Sequence, residues 1–218
     1  MICVVSVIKY PKYLGFFGVL SMALFHLPLF LNRKISFYKL MGTGKNGSFD
    51  IYPDWNQWVV MRVFSAENLY HIDLPRLIKC YLKLFCCNVK TIKLKAMVSH
   101  GTWDNKNCFG IFLNKQTELD EKIAVLTRAT IRFNKLKSFW KHVPLVNEKM
   151  HATEGLLYSI GMGEIPFIKQ ATLSIWQDMD SMKNFAYQQK EHVAVIQKTR
   201  KENWYSEEMF TRFVVIED

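Results

Sequence analysis

His192 lies near the end of the chain, in the stretch YQQKEHVAVIQKTRKENWYSEEMF that spans residues 187–210. If residues 179–200 form one α-helix, the spacing places His192 on the same face as Phe185 and Ile196. A neutral imidazole on a rigid helix, facing an apolar slot, is what a haem iron needs as an axial ligand. A lone histidine on an apolar helix face is more often a core residue with satisfied hydrogen bonds. The spacing alone leaves both interpretations open.

The other histidines give weak support to a different kind of metal site. None of them has a second histidine three or four residues away or an adjacent pair of carboxylates; they are His26, His71, His100, His142 and His151. A multi-histidine, non-haem centre is therefore poorly supported. No GxGxxG motif follows the first strand, and GTGKNG at residues 42–47 lacks the GK[ST] ending of a phosphate loop, so a plain turn explains it better.

Two arginines of a predicted strand could act beside a cofactor. Under ideal alternation, Arg128 and Arg132 share one face of strand 122–133 with Thr130 between them. Either arginine could pair with a haem propionate or act as a distal hydrogen-bond donor. The alternative is that such an arginine caps the end of a barrel or pairs with a surface acid.

Both halves of the sequence predict the same order of elements, β-α-β-β-α-β. The first half contains strands at 1–10, 34–44, 57–66 and 91–98 and helices at 11–27, ended by Pro28, and 74–86. The second half contains strands at 122–133, 155–164, 170–177 and 208–217 and helices at 135–146, ended near Pro144, and 179–200.

We therefore predict an α+β fold with two ferredoxin-like repeats, residues 1–100 and 121–218, joined by a connector at 101–120. The two four-stranded sheets can close into one barrel within a single compact domain, which removes exposed sheet edges. A cofactor slot is expected between helix 179–200 and the neighbouring strands, with Ala171, Leu173 and Ile175 as its floor.

The apolar start and the charge of the chain bear on its partners. Residues 14–31, LGFFGVLSMALFHLPLFL, are short for a bilayer span, so we expect a helix that packs on the sheet and leaves an apolar face for peripheral membrane contact. The net charge of +10 attracts phosphates, but no nucleic-acid-binding motif is present, and we expect no nucleic acid partner. The five cysteines show no CxxC spacing and are interpreted as reduced thiols of a cytoplasmic protein.

Five blocks of the sequence resemble the spheroidene monooxygenase family of carotenoid biosynthesis. They are KLMGTGKNGSFD, PDWNQW, LTRATIRFNKLKSFWKHVP, HATEGLLYSIGMGEIPFIKQATLSIWQDMDSMKNFAY and WYSEEMFTRF. The resemblance runs from about residue 1 to 213 and is densest over 122–213. It implies a dimeric α-β barrel fold, in agreement with the duplicated order of elements.

The resemblance also implies an activity. The family is expected to oxidise carbon 2 of an acyclic carotenoid end group to a hydroxyl or a ketone, with O2 and an external reductant of the ferredoxin type. Haem is the implied cofactor, and several haem proteins of this superfamily hold the iron through a histidine on the last helix of a ferredoxin-like unit, the place of His192 here. The alternatives are a non-catalytic haem- or lipid-binding barrel and a membrane-associated scaffold in carotenoid synthesis.

Overall fold

A computed structural model describes residues 1–65, 72–110, 121–188 and 190–218; the side chains of 187–193 are outside the description. Eight antiparallel strands form a closed barrel in the order β1-β3-β2-β6-β7-β5-β8-β4. Their bounds are β1 Ile2–Lys9, β2 Ile35–Gly44, β3 Pro53–Phe64, β4 Asn88–Gly101, β5 Ile123–Ile131, β6 Leu156–Ile165, β7 Lys169–Trp176 and β8 Tyr205–Glu217. The segments of the sequence with alternating apolar residues thus form the strands of one barrel.

Every second side chain of the strands points into the barrel, and most of these are apolar and fully buried. Ala171, Leu173 and Ile175 belong to this interior cluster. The expectation that they floor a slot under helix 179–200 is therefore wrong, and Trp176 is the β7 residue that packs on that helix. Alternation predicts that the three residues share a face, but it does not say which face lies inside.

Helices cover the outside of both halves. In the first half they are α1 Gly15–Leu24, α2 His26–Phe30 and α3 Arg76–Leu84. Pro28 does not end the first helix as expected: the helical path is interrupted at Phe25, and Pro28 lies in the first turn of α2, where no N–H partner is lost. Among the described helices none has the length and apolar character needed to cross a bilayer.

In the second half the helices are α4 Leu136–His151, α5 Met179–Lys183 and α6 Lys190–Lys201. Helix α4 continues through Pro144, which was expected to end it. Pro144 is exposed on α4, so its ring is turned to solvent and the helix forgoes one backbone hydrogen bond there.

The predicted helix at 179–200 is not one uninterrupted α-helix. Asp178 caps its start, since its carboxylate accepts a hydrogen bond of 2.7 Å from the Ser181 backbone N–H. Residues Asn184–Gln188 then form a π-helical turn, which inserts an extra residue into the repeat between Phe185 and Ile196. The face predicted for these residues assumed regular α-helical spacing, which the structure does not have.

The two halves meet at two seams of unequal extent. Strands β4 and β8 pair from Lys93↔Glu217 to Gly101↔Met209, whereas β2 and β6 pair only at Gly42↔Gly163 and Thr43↔Met162. Side chains and loops must therefore hold the β2–β6 seam. Loop residues Ser48 and Phe49 lie directly over Gly161 of β6, where an added Cβ would come within 2.5 Å of the Phe49 Cα.

We predict that Gly161→Ala destabilises the protein by about 1–3 kcal/mol, because the backbone at Phe49 must move away from the new methyl group. Gly42→Ala is the matched control at the same seam, since a Cβ there would meet Trp58 at an ordinary contact of 3.5 Å. Urea unfolding followed by circular dichroism measures both. Equal destabilisation by the two variants would contradict the packing described here.

Candidate functional site

A cluster of charged side chains closes one end of the barrel interior. The Arg128 side chain is fully buried and its Nη1 donates to Glu207 Oε2. Its Nη2 lies 3.6 Å from Asp104 Oδ1 and 3.8 Å from Glu164 Oε1. A guanidinium taken out of water needs several such carboxylates, because its desolvation costs several kcal/mol, on the order of the attraction it gains.

Two lysines complete this cluster. Lys39 bridges Asp104 and Glu164, and Lys169 Nζ lies 2.7 Å from Asp104 Oδ1. Three cations, Arg128, Lys39 and Lys169, thus face three carboxylates, Asp104, Glu164 and Glu207, so that the formal charge of the cluster is zero. We call these six residues the barrel-end cluster.

Residues 101–110 plug the barrel at this cluster. Trp103 and Phe109 are fully buried among the interior side chains, and Trp103 Nε1 donates to Glu164 Oε1 at 2.7 Å. Glu207 accepts a hydrogen bond from Thr102 Oγ1 at 2.8 Å and one from the Asn105 backbone N–H at 2.7 Å. The first part of the predicted connector 101–120 is therefore part of the core, and 111–120 lies outside the described residues.

The cluster fixes the ionisation of its carboxyl groups. Burial opposes the ionisation of Asp104, but hydrogen bonds from Lys169 and Lys39 outweigh it and lower its pKa to about 2. Burial likewise opposes ionisation of Glu207, and hydrogen bonds from Asn105, Thr102 and Arg128 lower its pKa nonetheless. Both groups are carboxylates at neutral pH, which is the state that the buried arginine requires.

A cavity of about 360 Å³ lies where β2 and β6 separate beyond their two residue pairs. Its wall combines apolar and charged side chains: His26, Tyr38, Lys39, Leu40, Glu164, Ile165 and Lys169. His26 Nδ1 and the Tyr38 hydroxyl are 3.2 Å apart. The cavity thus connects α2 with the barrel-end cluster at the shorter seam.

On the outer face of the barrel in the second half, the helices leave part of the sheet uncovered at Thr127. Two apolar clusters pack between strands and helices there, one around Val125 and Phe185 and the other around Ile131 and Phe139. Thr127 lies between them on β5. It is exposed although β5 is paired on both sides, with β7 and with β8. Its neighbours across the sheet are Thr172 and Phe210. We call this uncovered surface at Thr127, Thr172 and Phe210 the outer gap.

The helices bridge the outer gap without filling it at Thr127. Helix α4 supplies Val143 to one apolar cluster and Met150 to the other, and Asn147, which lies between them on the same face, has a buried Oδ1 with no hydrogen-bond partner. The last helical segment contacts one cluster through Phe185 and the other through Val195.

Polar atoms near the outer gap suit a flat anionic cofactor such as haem. Arg212 faces outward on β8, two residues from Phe210, and its buried Nε has no hydrogen-bond partner, while its Nη1 lies 3.3 Å from Met179 Sδ. Thr127 and Thr172 form the sheet surface of the outer gap, and both side chains are small. The unpaired Arg212 Nε can pair with a propionate of haem. Within the described ranges no group of three or more His, Cys, Asp or Glu side chains is placed to hold a metal ion.

The structure separates the predicted site residues. Phe185 is buried and stacks on Trp176 with ring centroids 5.3 Å apart, and Ile196 is half-buried on α6.

Arg128 points into the barrel, on the face of β5 opposite Phe185, whereas Arg132 follows the end of β5 and is exposed. The shared face expected for the two arginines is therefore wrong, because the strand ends before Arg132. A catalytic role for either arginine stays a prediction, and the His192 side chain lies outside the described residues.

Sequence reasoning gave an arginine at the end of a barrel, paired with an acid, as the alternative for Arg128, and the structure has that arrangement. It missed the other members of the barrel-end cluster and Arg212. A signal was present for the cluster: Lys39, Arg128, Glu164, Lys169 and Glu207 are charged residues at positions where alternation continues an apolar inward face. Arg212 gave no such signal, since a charged residue at an outward position of a strand is ordinarily solvated.

Comparison with known proteins identifies curated relatives. No family model matches the chain. The spheroidene monooxygenase of Rhodobacter capsulatus is 32% identical over 194 residues, which cover 88% of this chain and 80% of that protein. The enzyme of the same name from Cereibacter sphaeroides is 31% identical over 186 residues, covering 84% of this chain and 56% of that protein. That from Rubrivivax gelatinosus is 27% identical over 180 residues, covering 82% and 68%.

A solved structure of the aldoxime dehydratase OxdRE in complex with butyraldoxime shares the fold. It matches with a TM-score of 0.62 at 8% sequence identity, over 98% of this chain and 79% of that chain. The likeness concerns the fold alone, because identity at this level says nothing about chemistry.

The barrel and the curated relatives together place the chain among the monooxygenases, a class of oxidoreductases. The chain belongs to the spheroidene monooxygenase family, since its similarity to the Rhodobacter capsulatus enzyme extends over most of both proteins.

We predict that Arg128→Met destabilises the fold by about 3–5 kcal/mol, because it leaves Glu207 without its cation and Glu164 with Lys39 alone. Arg132→Met removes the same charge from an exposed position and should change stability by no more than about 0.5 kcal/mol. The free energy of unfolding in urea measures the difference. A stable Arg128→Met protein that has lost only turnover would show that the arginine is catalytic and not structural.

The barrel-end cluster also predicts a pH dependence. Because the pKa of Asp104 and Glu207 is lower in the folded than in the unfolded chain, their contribution is complete above the unfolded values of about 4 and is lost as pH falls toward the folded values. Stability should decline between about pH 5 and pH 2, and less steeply in Asp104→Asn, whose side chain tolerates the left-handed backbone at φ 52°. Asp180→Asn, an exposed carboxylate on α5, is the control. Parallel profiles for wild type and Asp104→Asn would count against this assignment.

Proposed function

We propose that this protein oxidises carbon 2 of an acyclic carotenoid end group to a hydroxyl or a ketone, using O2 and an electron donor of the ferredoxin type. The observation that carries the proposal is the 32% identity to the Rhodobacter capsulatus spheroidene monooxygenase over 88% of this chain. A net charge of +10 favours association with an acidic donor protein.

The proposed cofactor is haem in the outer gap, with His192 as the axial ligand of its iron. When bound, haem would supply the redox metal for oxygen activation, which side chains cannot provide unaided. The proposal is supported by the exposed Thr127 between two apolar clusters and by the course of the helix, since residue 192 falls between its anchors at Phe185 and Val195.

Other residues of the outer gap receive roles from their positions. The stacked rings of Trp176 and Phe185 close one side of the gap against water, and Phe139 packs with Trp204 on the other side. Arg212 Nε is an unpaired donor on the same face of the barrel, which makes it the better partner for a propionate than the inward-facing Arg128. Asn147 Oδ1 is an unpaired acceptor on the face of α4 that packs on the sheet.

We further infer that residues 1–100 and 121–218 are two ferredoxin-like repeats of a dimeric α-β barrel. The support is the order of strands around the barrel. Read away from the β4–β8 seam, each half has its strands in the order fourth, first, third, second. Each half also contains helical segments between its first and second strands and between its third and fourth.

We predict that His192→Ala abolishes the Soret band of the haem-loaded protein together with carotenoid oxidation, because it removes the proposed ligand of the iron. The test is an absorption spectrum of protein titrated with haemin, oxidised and reduced, followed by product analysis with an acyclic carotenoid. His142→Ala is the control: its Nδ1 lies 2.7 Å from the Ser138 carbonyl and its ring lies against Trp204. This control should keep the Soret band and turnover.

Three outcomes decide the assignment. A His192→Ala protein that keeps both haem and turnover overturns His192 as ligand. A wild-type protein that binds no haemin overturns the cofactor. Haem binding without turnover of any acyclic carotenoid overturns the proposed reaction and favours a non-catalytic haem-binding barrel.

A further inference from the structure

Helices α1 and α2 are apolar on both of their long sides. The inner side packs on the barrel and on α3: Gly18, Phe25 and Leu29 are buried, and the Tyr81 hydroxyl of α3 donates to the Phe17 carbonyl at 2.8 Å. The outer side carries an exposed row of apolar residues spaced three or four apart, which we call the outer stripe: Phe16, Leu20, Leu24, Leu27 and Leu31. An ordinary surface helix would be polar on this side.

The exposure of the outer stripe is large. Phe16 is 73% exposed, Leu27 64% and Leu31 66%, and the neighbouring Phe30 is 75% exposed. Contiguous apolar surface of this kind, formed by large side chains, marks contact with a partner or a membrane.

Aromatic residues extend this surface at the start of α1. Tyr13 is 90% exposed before α1, and Tyr52, just before β3, and Trp55, near the start of β3, are also exposed. Trp55 is fixed next to α1: its carbonyl accepts the Trp58 Nε1 hydrogen bond at 2.9 Å and would lie 3.0 Å from a Cβ on Gly15. Tyrosine and tryptophan are the residues that settle at the boundary between headgroups and acyl chains.

Within residues 1–49, which contain the stripe, the charge has one sign, because no acidic residue precedes Asp50. The cations of this segment are Lys9, Lys12, Arg33, Lys34, Lys45 and Lys39, of which Lys39 is already paired in the barrel-end cluster. Two acids, Asp50 and Asp54, lie next to Tyr52 and Trp55 in the sequence. Lys12 stands exposed before α1, and Arg33 and Lys34 stand exposed just after α2, so cations flank both ends of the stripe. This arrangement complements an anionic surface and is typical of helices that lie in the headgroup region.

We propose that the outer stripe, with Tyr13, Tyr52 and Trp55, is a docking surface for a bilayer that carries anionic headgroups. The apolar side chains enter the boundary of the acyl chains, and the flanking cations pair with lipid phosphates. Helix α1, at 10 residues, is about 15 Å long and lies along the surface. Docking brings the cavity at the β2–β6 seam to the bilayer, because His26 of α2 lines that cavity. This proposal rests on the proposed function for its purpose, the uptake of a lipid-soluble substrate.

The test is co-sedimentation of the full chain with vesicles of phosphatidylcholine alone and with vesicles that contain about one third phosphatidylglycerol. We expect a preference for the anionic vesicles of about tenfold or more at low salt, since three cations flank the stripe and each is attracted to anionic headgroups. Phe16→Ser combined with Leu27→Ser and Phe30→Ser should abolish binding to both kinds of vesicle. Lys12→Gln combined with Arg33→Gln and Lys34→Gln should remove the preference for anionic vesicles.

The matched control is Phe133→Ser, which removes an aromatic ring that is 82% exposed in the second half of the chain. This variant should bind vesicles as the wild type does, and thermal unfolding verifies that each variant folds. Wild-type protein that stays in the supernatant with both vesicles overturns the proposal. A wild-type dimer that becomes monomeric when the stripe is substituted, without any vesicle binding, shows that a second copy of the chain covers the stripe and overturns it too.

Activity on carotenoid dispersed in detergent separates this proposal from the proposed function. A stripe variant that loses vesicle binding but oxidises the detergent-dispersed carotenoid supports the docking surface and the reaction together. Vesicle binding that depends on the stripe, in a wild-type protein that oxidises no carotenoid, supports the docking surface and overturns the reaction.

Discussion

The buried charge of Arg128 is the constraint on which the architecture of the barrel depends. A guanidinium inside a barrel must be compensated, and here the compensating groups come from β6, β8 and the 101–110 plug. These segments are distant in sequence, so the charge is satisfied only once the barrel has closed and the plug is seated. The Lys39–Glu164 ion pair also crosses the seam where β2 and β6 share only two residue pairs. The cluster therefore holds together the part of the barrel that backbone pairing holds least.

Because the interior is closed in this way, the proposed cofactor is assigned to the outer face of the barrel. Large side chains, among them Trp103, Phe109 and Phe213, fill the barrel, and the ion cluster seals one end. On the outer face the helices are anchored at two separate apolar clusters, and the threonine floor between them stays open. A flat group can enter there without displacing the core. The proposed haem site thus follows from the way the helices are spaced over the sheet.

Much of the fold could be predicted from the sequence, since alternation and helical spacing are local signals. The strands and the order of elements followed from them. Features that depend on tertiary context did not: the side of β7 that faces inward, the continuation of α4 through Pro144, and the π-helical turn at Asn184–Gln188. The partners of Arg128 in the barrel-end cluster were missed for the same reason, because the ion pairs of the cluster join residues as far as 125 positions apart. Sequence spacing cannot show which distant charges meet.

A continuous series of contacts joins the proposed docking surface to the proposed cofactor site. His26 on α2 lines the seam cavity together with Ile165 and Lys169 of the β6–β7 hairpin. The carbonyl of Phe167, in the same hairpin, accepts a hydrogen bond of 3.1 Å from Trp140 Nε1 on α4. Trp140 packs in the apolar cluster that bounds the outer gap. An apolar chain entering from the bilayer beside α2 would therefore meet the hairpin and α4 before it reached the gap, along the seam where the sheet itself leaves the most space.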